Sequence, residues 1–310
     1  MALFQINDKK VKRVKPTEFK LEKDIQKLVE ENIEVFFNCR FLASEHSTGS
    51  IHSGRIDTLA FSEENNPVII EYKKVASSEL VNQSLYYLHW ITDHKGDFQI
   101  AVHEQLGKSV EVDWSDIRVI CIAPEFKKYD IHAVQMMGAS IELWQYKLYE
   151  NGVLRIDEIF GNGESSSRTS VSNGKNLIMV AAGPKAAETR RTAVYDISDH
   201  QNKINGTLAQ YLEELREYIA TIDSSIEEQP RKNYIAYKTT QNFVCIEVQK
   251  KRLLLFLKLD AKDYPSLSNV RDVSNIGHFG TGDFEFSLNN QEALEVSKQL
   301  ILESYQSIGG

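Results

Sequence analysis

Gly54-Arg55-Ile56-Asp57 and, with thirteen residues between them, Glu71-Tyr72-Lys73 are the strings whose reading decides the fold. They lie in two strand-length segments, Arg55–Phe61 and Val68–Lys73, joined by Ser-Glu-Glu-Asn-Asn-Pro, and the pattern predicts a hairpin. Side chains alternate along a strand, so Val68, Ile70 and Tyr72 share one face while Ile69, Glu71 and Lys73 share the other. Asp57 likewise shares a face with Leu59 and Phe61. A carboxylate and an ammonium on an apolar strand face are costly unless they pair or bind an ion. A hairpin brings Asp57 beside Glu71 and Lys73, and the two carboxylates then offer hard oxygen ligands to a divalent cation. Such a cation lowers the pKa of a bound water and neutralises charge developing on a phosphate. Lys73, an adjustable point charge, is placed to serve that water or the phosphate.

Outward from the hairpin, periodicity predicts a first helix over Glu18–Phe37, with Leu21, Ile25, Leu28, Asn32 and Val35 on one stripe and Val29, Ile33 and Phe36 widening it. A short strand, Arg40–Ala43, and a polar loop, Ser44–Ser53, come next. Beyond the hairpin, Ser77 or Ser78 caps a second helix with Val81, Leu85, Leu88 and Ile91 as its core stripe, ending near His94. Strands are predicted at Phe98–His103, Arg118–Ala123 and Ile141–Leu148, with a short helix at Ile131–Met137. Helices interleaved with apolar strands imply an α/β/α sandwich around a mixed sheet, spanning residues 20–160. Residues 1–19 form a basic arm bearing Lys9, Lys10, Lys12, Arg13 and Lys15. Its charges suit a polyanion or a solvated terminus equally. Residues 161–204, rich in Gly, Ser, Ala and basic residues, read as a linker with a short strand at Asn176–Val180. Residues 205–310 form an α+β unit: helix Thr207–Ile222, strands Tyr234–Thr239, Phe243–Gln249, Arg252–Leu259 and Asp283–Leu288, and helix Gln291–Tyr305, around an antiparallel sheet.

Asp57 followed by Glu71-x-Lys73 resembles the motif of the PD-(D/E)XK, or restriction-endonuclease-like, nucleases. Ile56 stands where the family name has proline. Glu22 interrupts the stripe of Ile25, Val29 and Ile33, as an acid of the family's first helix often does. Gln83, with Tyr87, Trp90 and His94 on one stripe, is similar to the Gln-x-x-x-Tyr element of the RecB-like and NucS-like branches. The resemblance implies Asp57, Glu71 and Glu22 as metal ligands, Lys73 and Gln83 as further site residues, and Mg²⁺ as the cofactor, with Mn²⁺ substituting. Each residue also has a structural reading: a cross-strand ion pair for Glu71 and Lys73, a turn or ion-pair role for Asp57, and solvated or packing helix positions for Glu22, Gln83 and Tyr87. His46 and His52 flank the hairpin as loop residues. The strings Arg231–Lys238, Phe243–Lys251 and Arg271–Gly280 resemble a C-terminal domain family of uncharacterised function that has carried the label "predicted transport protein". Modules of that family occur attached to nuclease-like domains.

The chain of 310 residues is 42% hydrophobic and 26% charged, as expected of a globular protein, and is long enough for two domains. Its net charge of −8 excludes a protein that coats nucleic acid indiscriminately, so contact with DNA requires a local basic surface. One candidate is the second unit's sheet, where Lys232, Lys238, Lys250, Lys251, Arg252 and Lys258 lie among Tyr234, Tyr237 and Phe256. Asp272, His278 and Asp283 around the glycines of its last loop form either a ligand site or a turn. No apolar run reaches the length of a membrane span, and Cys39, Cys121 and Cys245 read as buried thiols of a cytoplasmic protein. The function expected is a metal-dependent DNA endonuclease, with a homodimer suggested by analogy. The alternative is a catalytically inactive nuclease-fold module that binds nucleic acid or a protein partner.

Overall fold

The computed structural model describes residues 2–49, 54–75, 79–108, 110–137, 141–160, 195–239, 241–274, 276 and 278–310. The chain divides into two compact units, Met1–Ile33 with Arg40–Thr192, and Glu34–Cys39 with Ala193–Gly310.

The first unit opens with a hairpin, β1 (Leu3–Asn7) and β2 (Lys10–Val14), followed by β3 (Pro16–Thr17). Helix α1 (Glu22–Glu31) ends at Asn32, whose side-chain amide donates to the Leu28 carbonyl, and α2 (Ile33–Phe37), which from Glu34 on is counted with the second unit, begins beyond it. The single helix expected over Glu18–Phe37 is therefore two. Ile25, Val29 and Ile33 are buried while Leu21 and Val35 are exposed, so the narrower stripe is the one that packs. Strands β4 (Cys39–Ser47), β5 (Arg55–Ser62), β6 (Pro67–Tyr72), β7 (Arg118–Ala123), β8 (Ile141–Tyr149) and β9 (Leu154–Phe160) complete the sheet. Its order is β3-β8-β7-β6-β5-β4, with β9 also on β8. β6, β7 and β8 run parallel, and β5 is antiparallel to β6. This is a mixed sheet in a mixed α/β unit.

Helices α3 (Glu79–Asp93), α4 (Lys95–Leu106) and α5 (Lys128–Met137) supply the rest of the layering. Residues Phe98–His103, expected as a strand, lie within α4. Phe98, Ile100 and Val102 fit a period of two, but Phe98 and Val102 also stand four apart on one helix face. Those two are fully buried and Ile100 is 56% exposed, so the helical period prevails. Burying each apolar side chain contributes roughly 1.5–3 kcal/mol. Leu42, Leu59, Phe61, Ile69, Val81, Trp90, Ile91, Phe98 and Cys121 belong to one continuous core cluster.

The second unit contains α6 (Ile197–Gln201), α7 (Thr207–Ile222), β10 (Glu227–Pro230), β11 (Ile235–Lys238), β12 (Asn242–Gln249), β13 (Arg252–Leu257), β14 (Val270–Asp272), β15 (Phe284–Leu288) and α8 (Gln291–Ser307). Its six strands are antiparallel, in the order β10-β11-β12-β13-β15-β14. Leu212, Leu215, Leu294 and Ile301 of α7 and α8 pack with Ile235, Ile246, Leu255 and Phe286 of the sheet. Helix α6 occupies the end of the stretch read as a linker; the Asp196 carboxylate caps it by accepting from Ser198 N–H, and Asp199 reciprocates on the Asp196 amide. Residues 161–194, including the strand expected at Asn176–Val180, lie outside the described residues. Gly282, at φ +113°, lets the chain pass β13 closely: a Cβ there would stand 2.5 Å from the Leu257 carbonyl oxygen. Among the described residues, no helix is long and apolar enough to cross a membrane.

Candidate active site

The turn between β5 and β6 sets the site. Asn65 adopts φ +65°, a conformation asparagine tolerates better than most residues. Around it Ser62 N–H donates to the Asn66 carbonyl, and Asn66 N–H to Ser62 Oγ at 2.9 Å. This closure fixes the register Phe61↔Pro67 through Thr58↔Ile70, so Asp57 falls opposite Glu71 one step further on. Directly opposed residues share a face. A slip of one residue would send one of the two acids to the other side.

The two carboxylates are locked by backbone amides. Asp57 Oδ2 accepts from Tyr72 N–H at 3.0 Å, and Glu71 Oε1 accepts from Asp57 N–H at 3.1 Å. Among the described residues, no hydrogen bond reaches Asp57 Oδ1 or Glu71 Oε2. Glu71 is only 2% exposed. Burial pushes its carboxyl well above the ordinary range, and the neighbouring Asp57 charge adds to the effect. Asp57 is raised too, first by burial, against the opposing pull of the Tyr72 amide and Lys73. The parallel neighbour of Glu71 is Cys121, whose buried thiol is pushed up to about 12 and contacts Ser84 Oγ at 3.0 Å.

Lys73 leaves the end of β6 with its amide still donating to the Ile122 carbonyl, and its side chain is mostly buried. Its Nζ stands 3.3 Å from Glu22 Oε1, while Glu22 Oε2 accepts from Lys74 N–H at 2.9 Å. Glu22 therefore reaches the site from the first turn of α1, and its charge raises both Asp57 and Glu71. Its hydrogen bonds, however, are to Lys73 and Lys74. Gln83 on α3 is half-buried, and its Oε1 is a buried acceptor with no hydrogen-bond partner among the described residues. One turn later Tyr87 is buried; its hydroxyl accepts from Arg55 N–H at 3.3 Å and it feels the charges of Glu71 and Asp57. Trp90 and His94 stack with ring centroids 5.0 Å apart. With His46 and Thr48 they line a cavity of about 490 Å³ to which Asp57, Glu71 and Lys73 do not contribute.

Three supporting residues had no signal in the sequence. Buried Gln26 donates to the Asp57 carbonyl oxygen at 2.9 Å, and Glu30 accepts from Thr58 Oγ1 at 2.6 Å. Glu45, at φ +55° in β4, pairs with Arg55 at 2.6 Å and adds its charge to those acting on Asp57. All three depend on which elements become neighbours, which local spacing does not encode.

The donor set suits a hard divalent cation. Two carboxylates on one face each keep an oxygen uncommitted, and burial raises both pKa values even though the Lys73 charge pulls them down. Among the described residues no three His, Cys, Asp or Glu side chains gather as a metal site. Mg²⁺ is commonly held by one or two carboxylates, with waters and substrate phosphate completing its shell, so the pair meets the minimum.

In the second unit the aromatic surface expected for nucleic acid is not present. Tyr234, Tyr237 and Phe256 are at most 2% exposed, so their ring faces are packed away. The Asp272 side chain accepts from the amide and hydroxyl of Ser274, which is turn chemistry, and His278 stacks on Phe256 at 4.6 Å. Cys39, Cys121 and Cys245 are all buried and not disulfide-bonded.

Residues 197–308 match the domain of unknown function DUF5655. Two solved structures share a partial likeness. The EndoMS–dsDNA2 complex is 20% identical with a TM-score of 0.28, covering 42% of this chain and 47% of that one. A repair endonuclease from Pyrococcus abyssi is 18% identical with a TM-score of 0.24, covering 40% and 47%. The chain spans about half the length of these two structures. An uncharacterized protein of Haemophilus influenzae (strain ATCC 51907 / DSM 11121 / KW20 / Rd) is 33% identical over 306 residues, 97% of this chain and 98% of its own. The chain belongs to the family of that Haemophilus influenzae protein, with a DUF5655 domain as its second unit.

Proposed function

We propose that the first unit is a metal-dependent phosphodiesterase of the PD-(D/E)XK, restriction-endonuclease-like type, acting as a DNA endonuclease in repair or defence. The observation that carries this reading is the pair of half-buried Asp57 and buried Glu71, amide-locked on one face with Lys73 beside them. A structural ion pair would place a cation between the acids, whereas here the Asp57 charge adds to burial in raising the pKa of Glu71. Asp57 and Glu71 would hold Mg²⁺, or Mn²⁺ in its place. When bound, the cation supplies an acidified water and neutralises charge at the phosphate. Lys73 orients or deprotonates the attacking water and contacts the scissile phosphate. Glu22 positions Lys73 through their ion pair, and would serve as a third metal ligand only by exchanging that partner. Gln83 offers its unused Oε1 to a water or to the substrate.

The test is incubation of the full chain with single-stranded, double-stranded, branched and mismatched DNA, and with RNA, in Mg²⁺ and in Mn²⁺. Cleavage is expected from the wild type and lost in Asp57→Ala and Lys73→Ala, with circular dichroism showing both variants folded. Equal cleavage by wild type and both variants would sink the assignment. A second reading, a silent module of this fold that binds nucleic acid or a protein, is favoured by the engagement of Glu22 with Lys73. Titration with Mn²⁺ separates the two, because a silent module shows no binding dependent on Asp57.

A further inference from the structure

Residues 8–15 hold five cations and one acid within a chain of net charge −8. The structure arranges all of them but Lys15 in the hairpin β1–β2, whose register is Leu3↔Val14, Phe4↔Arg13, Gln5↔Lys12, Ile6↔Val11 and Asn7↔Lys10. Asp8 and Lys9 sit at φ +47° and +70°, the positive values that a two-residue type I′ turn requires at both central positions. Opposed residues share a face. One face of the ribbon therefore carries Gln5, Asn7, Lys10 and Lys12; the other carries Phe4, Ile6, Val11 and Arg13. Val14 is buried at the base, while Phe4, Ile6 and Val11 are 54%, 71% and 63% exposed. Among the described residues, Lys9, Lys10, Lys12, Arg13 and Lys15 form no ion pair. An isolated two-stranded ribbon is marginal in water, and this one leaves both its apolar face and its charge unanswered.

We infer that this hairpin is a duplex-docking ribbon, with the cations of its turn and second strand on backbone phosphates. The choice of DNA over other polyanions rests on the nuclease reading above. The dimensions suit a groove: two strands of five residues extend about 17 Å, and the major groove of B-DNA admits a two-stranded ribbon. Phe4, Ile6 and Val11 would lie against sugars and base edges. Pairing of two copies through the same ribbon would bring two strongly basic surfaces together, which disfavours a second copy as the occupant.

The experiment measures anisotropy of a labelled 30-base-pair duplex with the full chain in EDTA, where cleavage is excluded, across a salt series. The variant Lys10→Ala/Lys12→Ala/Arg13→Ala is expected to raise Kd at least tenfold. It should also reduce the slope of log K against log salt by about 2 to 3, near 0.9 for each phosphate that is no longer neutralised. Phe4→Ala should weaken binding by a smaller factor and leave the slope unchanged. Unchanged Kd and slope in the triple variant would overturn the inference, as would no duplex binding by the wild type at low salt. Hairpin-dependent binding to phosphatidylserine vesicles without duplex binding would also overturn it. Duplex binding through the hairpin with no cleavage of any substrate would refute the nuclease reading and leave this one standing. Cleavage with hairpin-independent binding would do the reverse.

Discussion

The β5–β6 hairpin of the first unit treats its acids differently from the antiparallel sheet of the second, and differently from β8 of its own sheet, where buried Glu142 accepts from Arg118 through both carboxylate oxygens. In the second unit Glu285 is 6% exposed and stands opposite Arg271 in the β14–β15 register, with the guanidinium 2.6 Å away. Glu228, on the edge strand β10 and partly exposed, is pushed up by what burial it has, but hydrogen bonds from Arg216 and Tyr237 outweigh that and hold it below the ordinary range. In the first unit Glu71 is opposed by Asp57, and both carboxyls stand above the ordinary range. A sheet built for stability answers each buried acid with a base or a hydroxyl. Two acids left facing one another cost stability, and a protein that keeps them gains something other than stability from the arrangement.

The contrast is broken most directly by activity. Asp57→Ala is expected to reduce metal-dependent DNA cleavage by at least about 1,000-fold, an effect of electrostatic stabilisation at a reacting centre, read by gel or fluorogenic assay. Arg271→Ala should affect only stability: it strands a buried acid and is expected to cost about 2 kcal/mol, less than a fully buried pair because Arg271 is half exposed. Urea denaturation measures it, and an unchanged midpoint would show that Glu285 finds another partner. Metal binding should then separate the two regions. Mn²⁺ at 100 times its dissociation constant is expected to stabilise the wild type by about 2.7 kcal/mol, with no shift in Asp57→Ala.

The smallest effect has the opposite sign. Glu71→Gln is expected to stabilise the metal-free protein by about 1 kcal/mol at neutral pH, by removing a charge that burial penalises. Its pH dependence follows from linkage. The folded-state pKa of Glu71 lies above its unfolded value, so between the two the native state keeps a proton that the unfolded chain has released. Raising pH through that window therefore costs the wild type stability. The advantage of Glu71→Gln should vanish below the unfolded carboxylate pKa and grow as pH rises towards the folded one. Denaturation midpoints of both proteins from pH 4 to 8 test this; a constant gap would mean that Glu71 is not the group titrating.

The hairpin that carries the site was legible because its signals are local. Strand-length apolar runs, a polar Asn-bearing turn and acids at alternating positions all lie within residues 55–73. The second unit was legible for the same reason: helix Thr207–Ile222 and the strands around residues 243 and 253 are continuous apolar patterns with clear ends. Phe98–His103 was misread because three apolar residues at alternate positions satisfy both periods, and only packing against a core chooses between them. The aromatic residues of the second unit were misplaced because a period of two identifies a face without telling whether another layer covers it. Tyr234 and Phe256 lie on a covered face.

By itself, then, the sequence determined that Asp57 and Glu71 would meet, because hairpin register is set by a short local turn and by the alternation of its strands. Only the tertiary structure decided what surrounds them. It brings Glu22 to Lys73 across 51 residues, Gln26 to the Asp57 carbonyl across 31, and Glu45 against Arg55. It also turns a run of lysines into a two-faced ribbon. The physical reason is one of range: alternation and turn chemistry act over a few bonds, whereas desolvation and charge act between any groups that the fold makes neighbours.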